Sequence, residues 1–173
     1  MLVGPLGVDL LLLLMLVARR FDATGFTLRL GGRDAARAAG AFVVFAVAGI
    51  PIGLSTGFLT YGVRAEGALP VLAGGAVIFL FTAVPEEVLF RGFIQGLLDR
   101  RMGRSWPALG LASLIFGASH LNNGPTAPDW RYFVLATLAG VAYGWVYRRT
   151  RRILAPALTH ALVDLTWSVF LKG

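Results

Sequence analysis

The sequence predicts an all-α membrane protein, a polytopic bundle of about six transmembrane helices around a polar cavity. Of its 173 residues, 57% are hydrophobic and only 14% are charged, whereas about a quarter of the residues in soluble proteins are charged. The apolar residues form long runs, and at about 20 residues per span the chain has room for roughly six helices. The predicted helices are residues 3–18, 36–58, 69–98, 106–120, 130–147 and 153–171.

One of these runs is longer than the thickness of a bilayer requires, and another is shorter. The third covers roughly 45 Å at 1.5 Å per residue, which exceeds the ~30 Å hydrocarbon core, and Pro85 predicts a kink within it. The fourth ends at His120, covers only some 20 Å and is followed by a strong turn signal. This short helix predicts that a polar cavity interrupts the bilayer there.

The net charge of +7 predicts membrane topology rather than nucleic-acid binding. Of the 16 basic residues, 15 are arginines, and twelve lie in the first, third and fifth connections, against three in the even connections and the tail. The positive-inside rule therefore places the odd connections in the cytoplasm and both termini outside. We expect a multi-pass protein of a prokaryotic plasma membrane, with the lipid bilayer as a partner and no nucleic acid.

Several classes of intramembrane chemistry are disfavoured. The chain has no cysteine, which excludes a thiol nucleophile and a cysteine-based zinc site. It also lacks the Gly-x-Ser-x-Gly, His-Glu-x-x-His and Gly-x-Gly-Asp patterns of serine, zinc and aspartyl enzymes.

Three charges lie within the third predicted helix, where a bilayer makes each of them costly: Glu86, Glu87 and Arg91. Residues four apart share a helix face, so Glu87 and Arg91 are predicted to pair and to play a supporting role. Glu86 diverges from Glu87 by about 100° and is left without an intrahelical cation. Glu86 is therefore the candidate general base.

The two histidines of the chain, His120 and His160, lie in other predicted helices. Glu86 and His120 are both near 20 Å deep, so they are expected to meet, while His160 and Asp164 share a face. Glu86 can take a proton from a water that His120 orients, and the water can attack a carbonyl carbon. His160 and Asp164 can receive the oxyanion, provided that Asp164 is protonated or serves to orient His160.

Three ordered motifs resemble those of the CPBP family, also called Abi, which comprises CAAX-prenyl proteases and bacteriocin-processing enzymes. The resemblance covers about residues 70–170. The motifs are Glu86-Glu87-x-x-x-Arg91, Phe116-x-x-x-His120 and His160-x-x-x-Asp164.

The resemblance implies an intramembrane glutamic endopeptidase that cleaves near the C-terminus of a peptide or lipid-modified substrate. It assigns water activation to Glu86 and His120, the oxyanion hole to His160 and Asp164, and support to Glu87, Arg91 and Phe116. It also implies one membrane domain in two parts. Residues 1–68 form N-terminal membrane helices with a cytoplasmic loop, and residues 69–173 form the catalytic core.

Three other functions stay open at this point. No cofactor is expected, but Glu86, Glu87, His120 and His160 are all possible ligands of a zinc metallopeptidase. A non-catalytic membrane protein that confers immunity or acts as a scaffold could use the same residues structurally. A proton-coupled transporter is disfavoured because the chain has no evident internal repeat. The substrate, the pathway and the oligomeric state stay undetermined.

Overall fold

Five helices make up most of the computed structural model of the chain, which describes residues 27, 29–63, 67–123 and 127–172. The helix predicted at residues 3–18 lies outside the described residues. The helices are α1 (Gly32–Ser55), α2 (Ala68–Met102), α3 (Trp106–Ser119), α4 (Trp130–Thr150) and α5 (Leu154–Phe170). The all-α class is confirmed, and the predicted runs match these helices to within a few residues.

The predicted count of six spans is not established. Within the described residues, α1 and α2 are the two helices long and apolar enough to cross a membrane by length and composition. The helices α3 and α5 are apolar but shorter, with 14 and 17 residues, and α4 carries arginines near both of its ends.

The longest helix, α2, is continuous through the predicted kink at Pro85. Ordinary α-helical turns at Ala68–Ile78, Val84–Glu87 and Gly96–Met102 alternate with wider π-helical turns at Phe79–Ala83 and Val88–Gln95. Proline has no N–H to donate to the carbonyl four residues earlier, and the helix accommodates it with π turns on either side instead of a break. Such turns are frequent at functional sites, and the two glutamates lie on the short turn between them.

Small residues hold α3 and α4 close together. A Cβ atom added at Gly140 would lie 3.2 Å from Ser113 of α3, and one at Gly144 would overlap Leu109 of α3. This is the intramolecular packing expected of glycines spaced four apart. Gly57 is also four residues from another glycine, Gly53, but it lies in the turn after α1 with a φ of +68°.

The arginine-rich connections meet at one end of the bundle. Arg152, between α4 and α5, forms an ion pair with Asp34 of α1 at 2.6 Å. Arg148 donates a hydrogen bond at 2.6 Å to the carbonyl of Arg104, which lies between α2 and α3. The first, third and fifth predicted connections therefore lie together.

The opposite end carries the remaining connections. A two-stranded antiparallel sheet joins β1 (Thr60–Tyr61) to β2 (Leu171–Lys172). Nearby, Arg131 at the start of α4 lies 3.5 Å from the carbonyl oxygens of Thr56 and Gly57. Between the two ends, an aromatic core contributed by α2, α3 and α4 surrounds the candidate site.

Candidate active site

A buried ion pair anchors the site on α2. Glu87 and Arg91 are both 0% exposed, and Glu87 Oε2 lies 2.9 Å from Arg91 Nε, as the spacing of four predicted. The Arg91 guanidinium also lies 4.8 Å from the ring centroid of Phe116 and 5.6 Å from that of Tyr143. Its terminal nitrogens have no hydrogen-bond partner among the described residues, so these aromatic faces supply its remaining favourable contacts.

Glu87 has a second partner that the sequence did not reveal. Its Oε1 lies 3.0 Å from His160 Nδ1 on α5, so one carboxylate joins a guanidinium and an imidazole. The predicted Glu87–Arg91 pair is present, and His160 is a further partner of Glu87. Because an ionised carboxylate only accepts hydrogen bonds, this contact makes His160 Nδ1 a donor and fixes the ring orientation.

The other nitrogen of His160 faces two more carboxylates. His160 Nε2 lies 3.5 Å from Asp164 Oδ2, the predicted pair on one helix face, and 4.0 Å from Glu86 Oε2. The two glutamates diverge as predicted but approach the same imidazole from its two nitrogens, a convergence that the sequence did not predict. The side chains of Glu86 and Asp164 are 30% and 33% exposed, against 0% for Glu87.

Glu86 has an unused acceptor. Its Oε2 is buried and has no hydrogen-bond partner among the described residues. Buried carboxylate oxygens normally accept hydrogen bonds from protein or water. This atom is therefore free to accept a proton or a hydrogen bond from a molecule that enters the site.

His120 is the C-terminal cap of α3, and its ring is held by local bonds. His120 Nδ1 lies 2.8 Å from the carbonyl oxygen of Phe116 and 3.1 Å from Ser119 Oγ. A carbonyl oxygen can only accept, so Nδ1 carries the hydrogen, and Nε2 of the neutral ring is left as an acceptor.

The predicted meeting of His120 and Glu86 is not a direct contact. No hydrogen bond or ion pair joins them in the described part of the chain. The imidazole that approaches Glu86 is His160.

A small cavity lies between the two histidines. It has a volume of about 50 Å³ and is lined by polar groups of His120, His160 and Asp164 and by aromatic rings. A buried water needs roughly 10–15 Å³, so the cavity can hold water. Phe116 contacts both histidines, with ring centroids 4.6 Å from His120 and 5.9 Å from His160. The other aromatic residues of the lining are Phe45, Tyr132, Tyr143 and Trp167.

Nothing in the sequence indicates that these other aromatic residues belong to the site. Tyr143 stacks on the His160 ring at 4.7 Å with an interplanar angle of 16°, and Tyr132 lies 5.2 Å from the His120 ring. In the sequence they are aromatic residues within an apolar helix, which is the usual pattern of a packed core. Among the described residues, no three His, Asp or Glu side chains are arranged to hold a metal ion.

Comparison with known proteins gives two matches. A family model described as "Type II CAAX prenyl endopeptidase Rce1-like" matches residues 68–166, which is more than half of the chain and contains every candidate residue from Glu86 to Asp164. YdiL of Bacillus subtilis (strain 168), whose name describes it as a membrane peptidase, is 26% identical over 154 residues. These residues are 80% of this chain and 59% of the relative. No solved structure matches the chain significantly.

Proposed function

Because the chain belongs to the Rce1-like family of type II CAAX prenyl endopeptidases, we propose that it is an intramembrane endopeptidase that uses water activated by Glu86. The observation that best supports this is the unpartnered Glu86 Oε2, 4.0 Å from His160 Nε2 in a cluster of carboxylates and imidazole. The proposed substrate is a peptide or membrane-associated protein, prenylated or not, cut near its C-terminus.

In the first step, water attacks the scissile carbonyl carbon. Glu86 takes one proton of the water, and His120 Nε2, the free acceptor of its ring, accepts a hydrogen bond from the other. The new C–O bond forms as the carbonyl π electrons move to oxygen. Glu86 does not line the cavity beside His120, so the proposal requires it to reach the same water from its position near His160 Nε2.

The oxyanion is stabilised by His160. In this proposal His160 is protonated on both nitrogens, so that Glu87 holds Nδ1–H and Nε2–H is available to the oxyanion. An ionised Asp164 would repel the oxyanion. Because Asp164 lies 3.5 Å from the same His160 Nε2, this proposal requires Asp164 to be protonated, so that its O–H is a second hydrogen-bond donor to the oxyanion.

The tetrahedral intermediate then collapses. The proton held by Glu86 passes to the amide nitrogen as the C–N bond breaks, which releases an amine and a carboxylic acid and returns Glu86 to its ionised form. Every proton in the cycle therefore moves between the water, Glu86 and the leaving nitrogen.

No metal takes part in the proposed reaction. A zinc enzyme built on the same glutamates and histidines would lose activity with a chelator such as 1,10-phenanthroline and would purify with stoichiometric zinc. We expect the chelator to leave the cleavage rate unchanged. If the chelator abolishes activity and added zinc restores it, the reaction depends on a metal and this mechanism is wrong.

We further propose that the protein is multi-pass, in a prokaryotic plasma membrane, with residues 69–173 as its catalytic core. The meeting of the three arginine-rich connections at one end favours placing that end in the cytoplasm.

The test of the proposed function is a comparison of peptide C-termini in cells with wild-type protein or the Glu86→Gln variant. We expect a set of new C-termini that depends on wild-type protein and is absent with Glu86→Gln. The matched control is Asp99→Asn, which makes the same change on the same helix about 20 Å away. If Glu86→Gln is expressed normally and leaves every terminus in place, the proposal is wrong and a non-catalytic role is favoured.

A further inference from the structure

An apolar groove of about 780 Å³ lies on the surface between α1 and α4. Small residues spaced four apart on α1, among them Gly40, Val44 and Ala48, form one wall, and α4 residues such as Val141 form the other. The volume is within the range of roughly 300–1,000 Å³ found for ligand sites. The groove is distinct from the catalytic cavity, since Phe45 alone lines both.

One end of the groove is aromatic and cationic. Arg37, Trp106 and Trp145 line this end. Arg148 lies 4.7 Å from the Trp106 ring centroid, and Arg149 lies 5.5 Å from that of Trp145. Tryptophan is enriched at the membrane–water interface, and clustered arginines attract anionic lipid headgroups.

The positive charge at this end is not cancelled by the nearest carboxylate. Asp34 lies 3.5 Å from Arg37 Nη1, but it is also paired with Arg152 at 2.6 Å. Arg149 is exposed. An anionic group therefore meets an excess of positive charge at the mouth.

The length of the groove matches one leaflet of a bilayer. From Arg37 at the mouth to Ala48, α1 rises about 16 Å at 1.5 Å per residue. Half of the ~30 Å hydrocarbon core is about 15 Å. An acyl chain that begins at the arginines would thus end near the bilayer midplane.

We propose that this groove binds one acyl chain of an anionic phospholipid, whose phosphate contacts the arginines at the mouth. The apolar walls accommodate the chain, and the cationic mouth distinguishes an anionic headgroup from a zwitterionic one. The site does not depend on the proposed peptidase reaction.

Native mass spectrometry of the purified protein, incubated with phosphatidylglycerol or phosphatidylcholine, tests this proposal. We expect wild-type protein to retain one phosphatidylglycerol in preference to phosphatidylcholine. The Val44→Trp variant fills the groove and is expected to lose the bound lipid. The Val47→Trp variant is the matched control, because Val47 is 72% exposed and Val44 71% exposed but Val47 does not line the groove.

Two further variants separate the headgroup from the chain. Arg149→Gln is expected to weaken phosphatidylglycerol binding about fivefold, and adding Arg37→Gln about thirtyfold, with little effect on phosphatidylcholine. A Cβ at Gly40 meets nothing within 4 Å, so Gly40→Leu can fill the groove without a clash at its Cβ. Gly40→Leu replaces Val44→Trp if Val44→Trp does not fold.

Three outcomes would overturn the proposal. Equal retention of the two lipids would show that the arginines do not select an anionic headgroup. Equal lipid loss in Val44→Trp and Val47→Trp would place the lipid elsewhere. A wild-type dimer that Val44→Trp dissociates, without a change in bound lipid, would assign the groove to a second copy of the chain.

Discussion

Glu87 links the structural and the reactive parts of the site. One of its oxygens pairs with Arg91 on the same helix and the other with His160 on α5. Both carboxylate oxygens of Glu87 thus lie within 3.0 Å of a charged or polar partner, whereas Glu86 Oε2 comes no closer than 4.0 Å to His160 Nε2 and accepts no hydrogen bond in the described part of the chain. The two adjacent glutamates therefore differ in their contacts, and this difference is why we propose Glu86 as the residue that reacts with water.

The buried Glu87–Arg91 pair predicts an asymmetric response to substitution. Glu87→Gln keeps an acceptor for His160 but leaves Arg91 buried and uncompensated, so we expect a loss of about 3–5 kcal/mol in the free energy of unfolding. The double variant Glu87→Gln/Arg91→Met removes both charges and is expected to recover most of that loss. Chemical denaturation in detergent micelles measures both. If the double variant is as unstable as Glu87→Gln, the uncompensated charge of Arg91 is not the cause of the lost stability.

Which contacts of the site could be predicted depends on whether they are local. Glu87–Arg91 and His160–Asp164 follow from a spacing of four on one helix. The contact between Glu87 and His160 joins residues 73 positions apart. Counting residues gives depth in the membrane but not the rotation of each helix about its axis, so the sequence could not decide which imidazole approaches which glutamate.

Outside the predicted spans, Asp129 gives the protein a measurable acid response. Arg131 donates hydrogen bonds to both of its carboxylate oxygens, at 3.0 and 2.7 Å, and these lower the pKa of Asp129 from 3.8 to about 2. As the pH falls, the Asp129 carboxylate is therefore protonated in the unfolded chain before it is protonated in the folded one. The contribution of Asp129 to stability is complete above about pH 4 and is lost toward pH 2. We expect the unfolding temperature of wild type to fall more than that of Asp129→Asn between pH 4 and pH 2. Equal falls would contradict this.

At the scale of the elements, the crossing of α3 and α4 is the tightest contact described near the site. A Cβ at Gly117 would overlap Thr137 Oγ1 and lie 2.7 Å from the Phe133 carbonyl oxygen. The spacing of four between Gly140 and Gly144 is typical of close helix packing, but no such spacing marks Gly117, because its partner surface depends on how the two helices are rotated.

This crossing predicts opposite effects for two glycines of α3. Gly117→Ala should force the helices apart and cost about 1–3 kcal/mol in the free energy of unfolding. At Gly110 a Cβ meets nothing within 4 Å, so Gly110→Ala should be neutral or should stabilise by up to about 1 kcal/mol through helix propensity. Thermal unfolding of the two variants makes the comparison, and equal effects would contradict the tight crossing.

The position of His120 also follows from α3 as an element. The helix ends at Ser119, so His120 becomes its cap and bonds back to the Phe116 carbonyl. The sequence predicted a helix of this length from the turn signal that follows it. The ring orientation could not be predicted, because it depends on the bond that the cap makes.

For the whole molecule, the sequence predicted the all-α class and the positions of the helices well. Apolar runs and turn signals are local properties, which explains this success. The number of spans is less well determined by composition, because α3 and α5 are short for a bilayer and α4 carries arginines near both ends.

The proposed orientation can be measured because the chain has no native cysteine. Met102→Cys lies at the arginine-rich end and Tyr61→Cys at the opposite end, with exposed fractions of 44% and 76% for the native side chains. In intact cells a membrane-impermeant maleimide is expected to label Tyr61→Cys at once and Met102→Cys only after permeabilisation. The reverse pattern would contradict the placement of the arginines in the cytoplasm.

The central claim is that Glu86 activates the attacking water, and the cleavage kinetics of purified protein test it most directly. With a peptide substrate in lipid vesicles, kcat/KM of Glu86→Gln is expected to fall about 10²–10⁴-fold, the usual contribution of a positioned general base. The unfolding temperature should stay within the range of wild type. A well-folded Glu86→Gln enzyme that cleaves within twofold of the wild-type rate would contradict the account.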